Sequence, residues 1–234
     1  MRFWALSDLH LSGDPPQKPM DVFGDRWRNH RQKVETNWRA QVAPEDTVLI
    51  GGDVSWAMKL EEAAPDLDFI RALPGRKIIL RGNHDYWWAG LAKMQRATDH
   101  ELLFLHNNFI PLTDAVAIAG TRGWIAPGDT QWQAEDEVVW ARELQRLERS
   151  LTLAREAGFT KLLVATHYPP FNEAREPTEM ADIAKRYGAL GYIYGHIHDE
   201  QNFRYLPREI HGMPLYLTSA DYLQFSPLEI PLLM

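Results

Sequence analysis

The segment Lys77-Ile-Ile-Leu-Arg-Gly-Asn-His-Asp-Tyr-Trp-Trp88 changes character in its middle. An apolar run, Ile78-Ile79-Leu80, gives way at Gly82 to Asn83-His84-Asp85. Short β-branched runs bounded by glycine read as buried strands. A strand that ends in an amide, an imidazole and a carboxylate brings polar chemistry to the rim of a sheet. In open α/β sheets, ligands bind at that rim, outside the carboxyl ends of the strands.

The same pattern recurs on both sides of this segment. Residues 2–7 read as a strand that stops at Asp8-Leu9-His10, and residues 47–50 as one that stops at Gly51-Gly52-Asp53. Residues 161–165 run into Thr166-His167, where Pro169 and Pro170 end any continuation. Residues 190–194 run into Gly195-His196-Ile197-His198. Helices are expected over 26–42, 60–73, 87–97, 131–157 and 179–187, the longest with Trp140, Leu144, Leu147 and Leu151 down one face. Runs at 101–105, 109–112 and 115–119 leave no room for helices between them, which predicts antiparallel strands joined by short turns. Strand-like pieces at 203–206 and 215–218 close the chain. Without repeats, low-complexity tracts or linkers, residues 1–234 read as one domain.

Composition narrows the class. The 234 residues, 45% hydrophobic and 24% charged, suit an ordinary globular protein with ample core. No apolar run reaches the roughly 18 residues of a membrane span, and the start Met1-Arg-Phe-Trp-Ala-Leu-Ser-Asp8 turns polar too soon for a signal peptide. The absence of cysteine excludes disulfides and thiolate metal sites and fits a reducing cytosol, so a cytoplasmic location is expected. A formal net charge of −7, with no Lys/Arg-rich run, argues against a nucleic-acid or anionic-membrane binder.

Asp8, His10, Asp53, Asn83, His167, His196 and His198 all stand at strand ends. Taken singly, Asp-Leu-His or Gly-Asp is a common turn. Together they form a donor set of carboxylate, amide and imidazole, which suits Mn, Fe, Zn or Co. Seven ligands exceed the three of a catalytic zinc, and they fit two ions roughly 3.5–4 Å apart that share a carboxylate.

In chain order the blocks are Asp8-x-His10, Gly52-Asp53, Gly82-Asn-His-Asp85, a lone His167 and Gly195-His-x-His198. This series resembles the calcineurin-like metallophosphoesterase superfamily, in particular its compact bacterial phosphohydrolase-type members. The resemblance implies an α/β fold, a four-layer sandwich of two mixed β-sheets flanked by α-helices. It implies one divalent ion on Asp8, His10, Asp53 and His198, and another on Asp53, Asn83, His167 and His196. It further places His84 on the substrate side with Asp85 orienting it; the other reading of Asp85 is an N-cap for the following helix. The superfamily's protein Ser/Thr phosphatases carry an arginine soon after Gly-Asp, where this chain has Val54-Ser-Trp-Ala-Met-Lys59. That departure counts against a protein phosphatase.

The expected activity is hydrolysis of a small phosphomonoester or phosphodiester, with manganese the favoured metal. A metal-bridging hydroxide would attack phosphorus in line, and His84 would assist the leaving group. Arg122, between Gly120 and Gly123, is the candidate phosphate contact, and Trp56 and Tyr168 are the candidate aromatic contacts. A nuclease of the same superfamily is the alternative, followed by a noncatalytic metal-binding scaffold. The sequence does not speak to oligomeric state.

Overall fold

Each parallel strand of this chain is apolar on both faces, so each sheet must be covered twice. The computed structural model describes residues 1–201 and 203–232. The first half of the chain runs β1 (Phe3–Leu6), α1 (His30–Gln41), β2 (Thr47–Ile50), α2 (Leu60–Arg71), β3 (Arg76–Leu80), α3 (Leu91–Ala97) and β4 (Leu102–Leu105). The second half runs β5 (Phe109–Pro111), β6 (Val116–Thr121), α4 (Asp136–Glu156), β7 (Lys161–Thr166), α5 (Glu179–Arg186) and β8 (Ala189–Tyr194). It closes with β9 (Glu209–Ile210), β10 (Met213–Leu217) and β11 (Leu228–Glu229).

Two mixed sheets result, ordered β11-β1-β2-β3-β4 and β5-β6-β7-β8-β10-β9. The two-residue period of the strands sorts side chains into layers. Phe3, Ala5, Ile78 and Leu80 meet Ile118, Leu163, Ala165 and Ile193 between the sheets. Trp4, Leu6, Val48 and Ile79 face the other way, against Val34 and Trp38 of α1 and Leu67 and Ile70 of α2. On the far side, Leu162, Val164 and Tyr192 pack on Leu147 and Leu151 of α4 and on Ala184 of α5. This is the expected four-layer sandwich.

Several expectations about elements need correction. β4 pairs with β3 in parallel, Leu80 opposite Leu105, whereas β5 pairs with β6 antiparallel. The chain therefore leaves one sheet for the other between Leu105 and Phe109, and only the β5–β6 pair is the expected antiparallel one. Residues 87–90 are not helical, because the indole of Trp87 is tied to Asp85 and α3 starts at Leu91. Residues 26–29 and 131–135 likewise precede their helices, and Phe203–Tyr205 is a 3-10 turn rather than a strand.

Asp46 fixes the entry to β1. Its buried carboxylate accepts the Arg2 N–H at 2.6 Å, the Trp4 indole N–H at 3.1 Å and the Ala43 N–H at 3.2 Å. Burial pulls its pKa up, but these donors and the Arg2 charge outweigh burial and hold it below the usual carboxylate range. A depressed carboxylate stabilises the fold above its unfolded pKa and loses that contribution as pH falls. Asp46→Ala is expected to cost about 1–3 kcal/mol at neutral pH. Urea melts should show the difference from wild type shrinking as pH falls below the ordinary carboxylate value towards the lower folded pKa.

Candidate metal centre

β1, β2, β3, β7 and β8 all end at one edge, and the loops that follow them are locked together. Asp8 N–H donates to Gly52 C=O at 2.9 Å, His10 N–H to Asp53 C=O at 2.9 Å, and Gly195 N–H to His167 C=O at 3.0 Å. Four of the side chains aimed inward stand on left-handed backbone: Asp8 (φ 59°), His10 (46°), Asp53 (51°) and His196 (70°). For a residue with a Cβ that conformation costs roughly 1–2 kcal/mol. Such strain clusters at functional sites, where surrounding contacts over-determine the backbone. Gly82 and Gly195 are required by crowding: a Cβ on the first would collide with Asp53 Oδ1, and one on the second with Ser7 Oγ and Asp8 Oδ2.

Within this frame Asp8 Oδ1 lies 3.4 Å from His198 Nε2 and 3.9 Å from His167 Nε2. Asp53 Oδ2 lies 3.4 Å from His167 Nε2 and 3.9 Å from His10 Nε2. Asn83 Oδ1 meets His167 Nε2 at 2.8 Å and His196 Nδ1 at 3.0 Å. Two groups, Asp8/His10/His198 and Asp8/Asp53/His167, bring their donor atoms within 4.8 Å of one another. All seven expected ligands thus face a common centre. Beside it opens a cleft of about 330 Å³, lined by His10, His84, His198, Trp27 and Trp56.

A family model for calcineurin-like phosphoesterases matches residues 1–200. The chain belongs to that family. It is therefore a metal-dependent phosphoesterase, a hydrolase of phosphoric esters. Solved structures with the same fold include TT1561 of Thermus thermophilus, at 12% identity and TM-score 0.61, covering 98% of each chain. The calcineurin-like phosphoesterase YfkN from Bacillus subtilis aligns at 12% identity and TM-score 0.56, over 94% of this chain and 82% of its own. A protein of unknown function, AQ665 from Aquifex aeolicus, aligns at 16% identity and TM-score 0.52, over 97% and 95%. No curated protein sequence matches.

The residues present fit the divalent ions of the family. Among the described residues, Asp8 and Asp53 are buried carboxylates with no Lys or Arg partner; burial alone would raise their pKa values. Instead His198 and His167 pull Asp8 far below the carboxylate range, and His167 pulls Asp53 down to about 2. Against their own burial, His167 is raised to about 9 by Asp53 and Asp8, and His198 to about 10 by Asp8 and Asp221. The buried carboxylates thus favour positive charge at this centre. Outer hydrogen bonds also aim the rings as metal ligands require. His167 Nδ1 donates to Gly51 C=O and His198 Nδ1 to Asp221 Oδ1, both at 2.9 Å, which turns each Nε2 inward.

Phosphoesterase residues expected on the substrate side divide. The His84 ring lies in the cleft, 4.5 Å from the Trp56 ring, and Trp56 stacks on His10 at 4.9 Å. Tyr168 does not line the cleft: it is buried, its ring 4.2 Å from His196, so it backs that imidazole. Arg122 is outside the cleft too, with its guanidinium 4.3 Å from the Trp124 ring, while its C=O accepts the His167 N–H at 2.9 Å.

Asp85 neither orients the His84 ring nor caps a helix. Its buried carboxylate accepts N–H groups of Gly82 (2.7 Å), Val54 (2.8 Å), Asp53 (3.0 Å) and Ser55 (3.3 Å) and the Trp87 indole (2.9 Å). It ties the β2 loop to the β3 loop, and Asp53 Oδ1 in turn receives the His84 N–H at 2.8 Å. Asp221, Arg26 and Trp27 escaped the sequence reading. Arg26 pairs with Asp221 Oδ2 at 3.1 Å and donates to His198 C=O at 3.2 Å. The signal for Asp221 was available: it follows β10, one more strand ending at this rim.

Asp85→Ala strands several buried N–H groups at about 1–3 kcal/mol each. The variant is expected to lose more than about 3 kcal/mol of stability in a denaturant titration. His84→Ala, which strands nothing, is expected to melt close to wild type. Matching melts for the two variants would contradict the bracing role.

Proposed function

We propose that this phosphoesterase hydrolyses small phosphorylated molecules with two divalent ions, manganese the favoured metal. Asp8, His10, Asp53 and His198 hold one ion; Asp53, Asn83, His167 and His196 hold the other. The observation that carries the reading is Asp53 Oδ2 standing 3.9 Å from His10 Nε2 and 3.4 Å from His167 Nε2, between the two ligand sets and beside a cleft that His84 enters. Bound there, divalent ions supply positive charge for a phosphoryl oxygen and lower the pKa of water from 15.7 to about 7.

The chain's own residues do the rest. His84 is the general acid: its imidazole lies in the cleft, and a positioned imidazole can donate a proton to a departing oxygen. Its proton goes to the leaving oxygen as the ester bond breaks. Trp56, stacked on His10 and next to His84, forms one wall of the cleft and keeps bulk water from both rings. Trp27, edge-on to His10 at 5.8 Å and to His198 at 5.9 Å, forms the other. A cleft near 330 Å³ is at the small end of ligand sites, which matches a small substrate.

Asp53→Asn is expected to lose bound metal, measured by elemental analysis, together with activity. His84→Ala should keep its metal and lose roughly 10²–10⁴ in kcat on an ester with a poor leaving group. Undiminished turnover of that ester by His84→Ala would remove the general acid. Paired aryl phosphate mono- and diesters decide which bond the enzyme prefers.

A further inference from the structure

Beyond the cleft, the same rim carries a second polar cluster. Arg81 follows β3 and His106 follows β4; with Leu80 opposite Leu105 in a parallel pair, Arg81 and His106 are neighbours across two strands. Arg122 follows β6, which the Asn107 N–H joins through Gly120 C=O at 3.2 Å. Arg146, from α4, completes the group around the buried Glu143. Arg81, Arg122, Arg146 and His106 all lie within electrostatic range of Glu143 or one another.

Charge in this cluster does not balance. Glu143 Oε2 is taken by the Thr121 hydroxyl at 2.6 Å and the Gly123 N–H at 3.1 Å, and its Oε1 by Arg146 at 2.6 Å. Among the described residues, neither Arg81 nor Arg122 has an ion pair or a side-chain hydrogen bond, although both are half-buried. Arg81 Nε and His106 Nδ1 are buried polar atoms with no partner. Three guanidiniums against two carboxylates, Glu143 and the Asp85 that faces Arg81, leave a surplus of one positive charge in a chain whose net charge is −7. The surplus works against itself: burial lowers the pKa of His106 to about 4, and Arg146, Arg81 and Arg122 hold it there despite Glu143.

The geometry points to an anion subsite: we propose that Arg81, Arg122, Arg146 and His106 bind a second phosphate of the substrate, apart from the one that is cleaved. This deepens the phosphoesterase reading and rests on it. Arg81 is two residues from Asn83, and Arg122 C=O holds the His167 N–H, so the cluster adjoins the metal centre. β6 neighbours β7, and adjacent strands lie about 4.8 Å apart. Guanidiniums grip a phosphate through paired N–H groups, and two of them have every donor free of carboxylates. The substrate class is thus a bisphosphorylated small molecule with its phosphates a few bonds apart.

The test is calorimetric binding to the metal-loaded protein of propane-1,3-bisphosphonate and of propylphosphonate, which cannot be hydrolysed. Wild type should bind the bisphosphonate at least about tenfold more tightly, and Arg81→Gln/Arg122→Gln should close most of that gap. Affinity of the double variant for propylphosphonate reports whether its metal centre is intact. No gap in wild type, or a gap that survives in the double variant, overturns the subsite, since chelation by the metals alone would give the latter. Kinetics separate the two readings. If the arginine-dependent gap is present but no phosphoester is hydrolysed, the phosphohydrolase assignment fails and the anion subsite stands.

Discussion

The Asp85 carboxylate is the point on which the site's shape depends. Neither Gly52-Asp53-Val54-Ser55 nor Gly82-Asn83-His84 belongs to a helix or strand, so neither loop can satisfy its own N–H groups. One buried carboxylate accepts four of them and an indole besides. Charge-assisted hydrogen bonds of this kind are roughly twice as strong as neutral ones. Burial and the nearby Asp53 push Asp85 up to about 6, while its N–H donors pull the other way. That tension is tolerable because the donors are fixed by strands on either side. Everything further in inherits this order: Asp53 is held by backbone that Asp85 holds, and the His84 N–H is held by Asp53.

The same reasoning explains the strained residues. Left-handed backbone at Asp8, His10, Asp53 and His196 is unfavourable at each position. In each case the neighbouring loop supplies a hydrogen bond that leaves no easier conformation, as Asp8 N–H to Gly52 and His10 N–H to Asp53 do. The hydrophobic layer between the sheets anchors the strands from which these loops spring, and it is made of Phe3, Leu49, Ile78 and Leu163 rather than of anything polar. The core thus contributes precision to the site without touching it.

How far the sequence foretold this differs by residue. Thr47–Ile50 was legible to the residue, and β3 nearly so, because a β-branched run between Pro/Gly breaks has one reading. The gathering of Asp8, His10, Asp53, Asn83, His167, His196 and His198 at one rim was legible because their residue types serve no purpose in a turn repeated so many times. Pairing partners were not: the short gap between β4 and β5 looks like a hairpin, yet their apolar faces are claimed by different sheets. The start of α3 was also hidden, since Trp87 and Trp88 match helical spacing and only the Asp85 contact excludes them. Asp85 was misassigned because adjacency to His84 in sequence says nothing of which way a buried carboxylate turns. Tyr168 and Arg122 each follow a strand that ends at the rim, but the Tyr168 ring turns to His196 and the Arg122 guanidinium lies over Trp124, outside the cleft.

Asn83 marks the division of the rim into two electrostatic regions. On the β1 and β8 side, the buried carboxylates Asp8 and Asp53 stand among imidazoles. On the β4 and β6 side, three half-buried guanidiniums outnumber the carboxylates Glu143 and Asp85 and the surplus is positive. Asn83 is neutral, and its Oδ1 meets His167 and His196 without adding charge to either side. A carboxylate at that position would add a negative charge beside Asp8 and Asp53, which an amide avoids while still presenting an oxygen. The neutral residue between Arg81 and His84 therefore keeps the two regions distinct, and a bisphosphorylated substrate would lie across it.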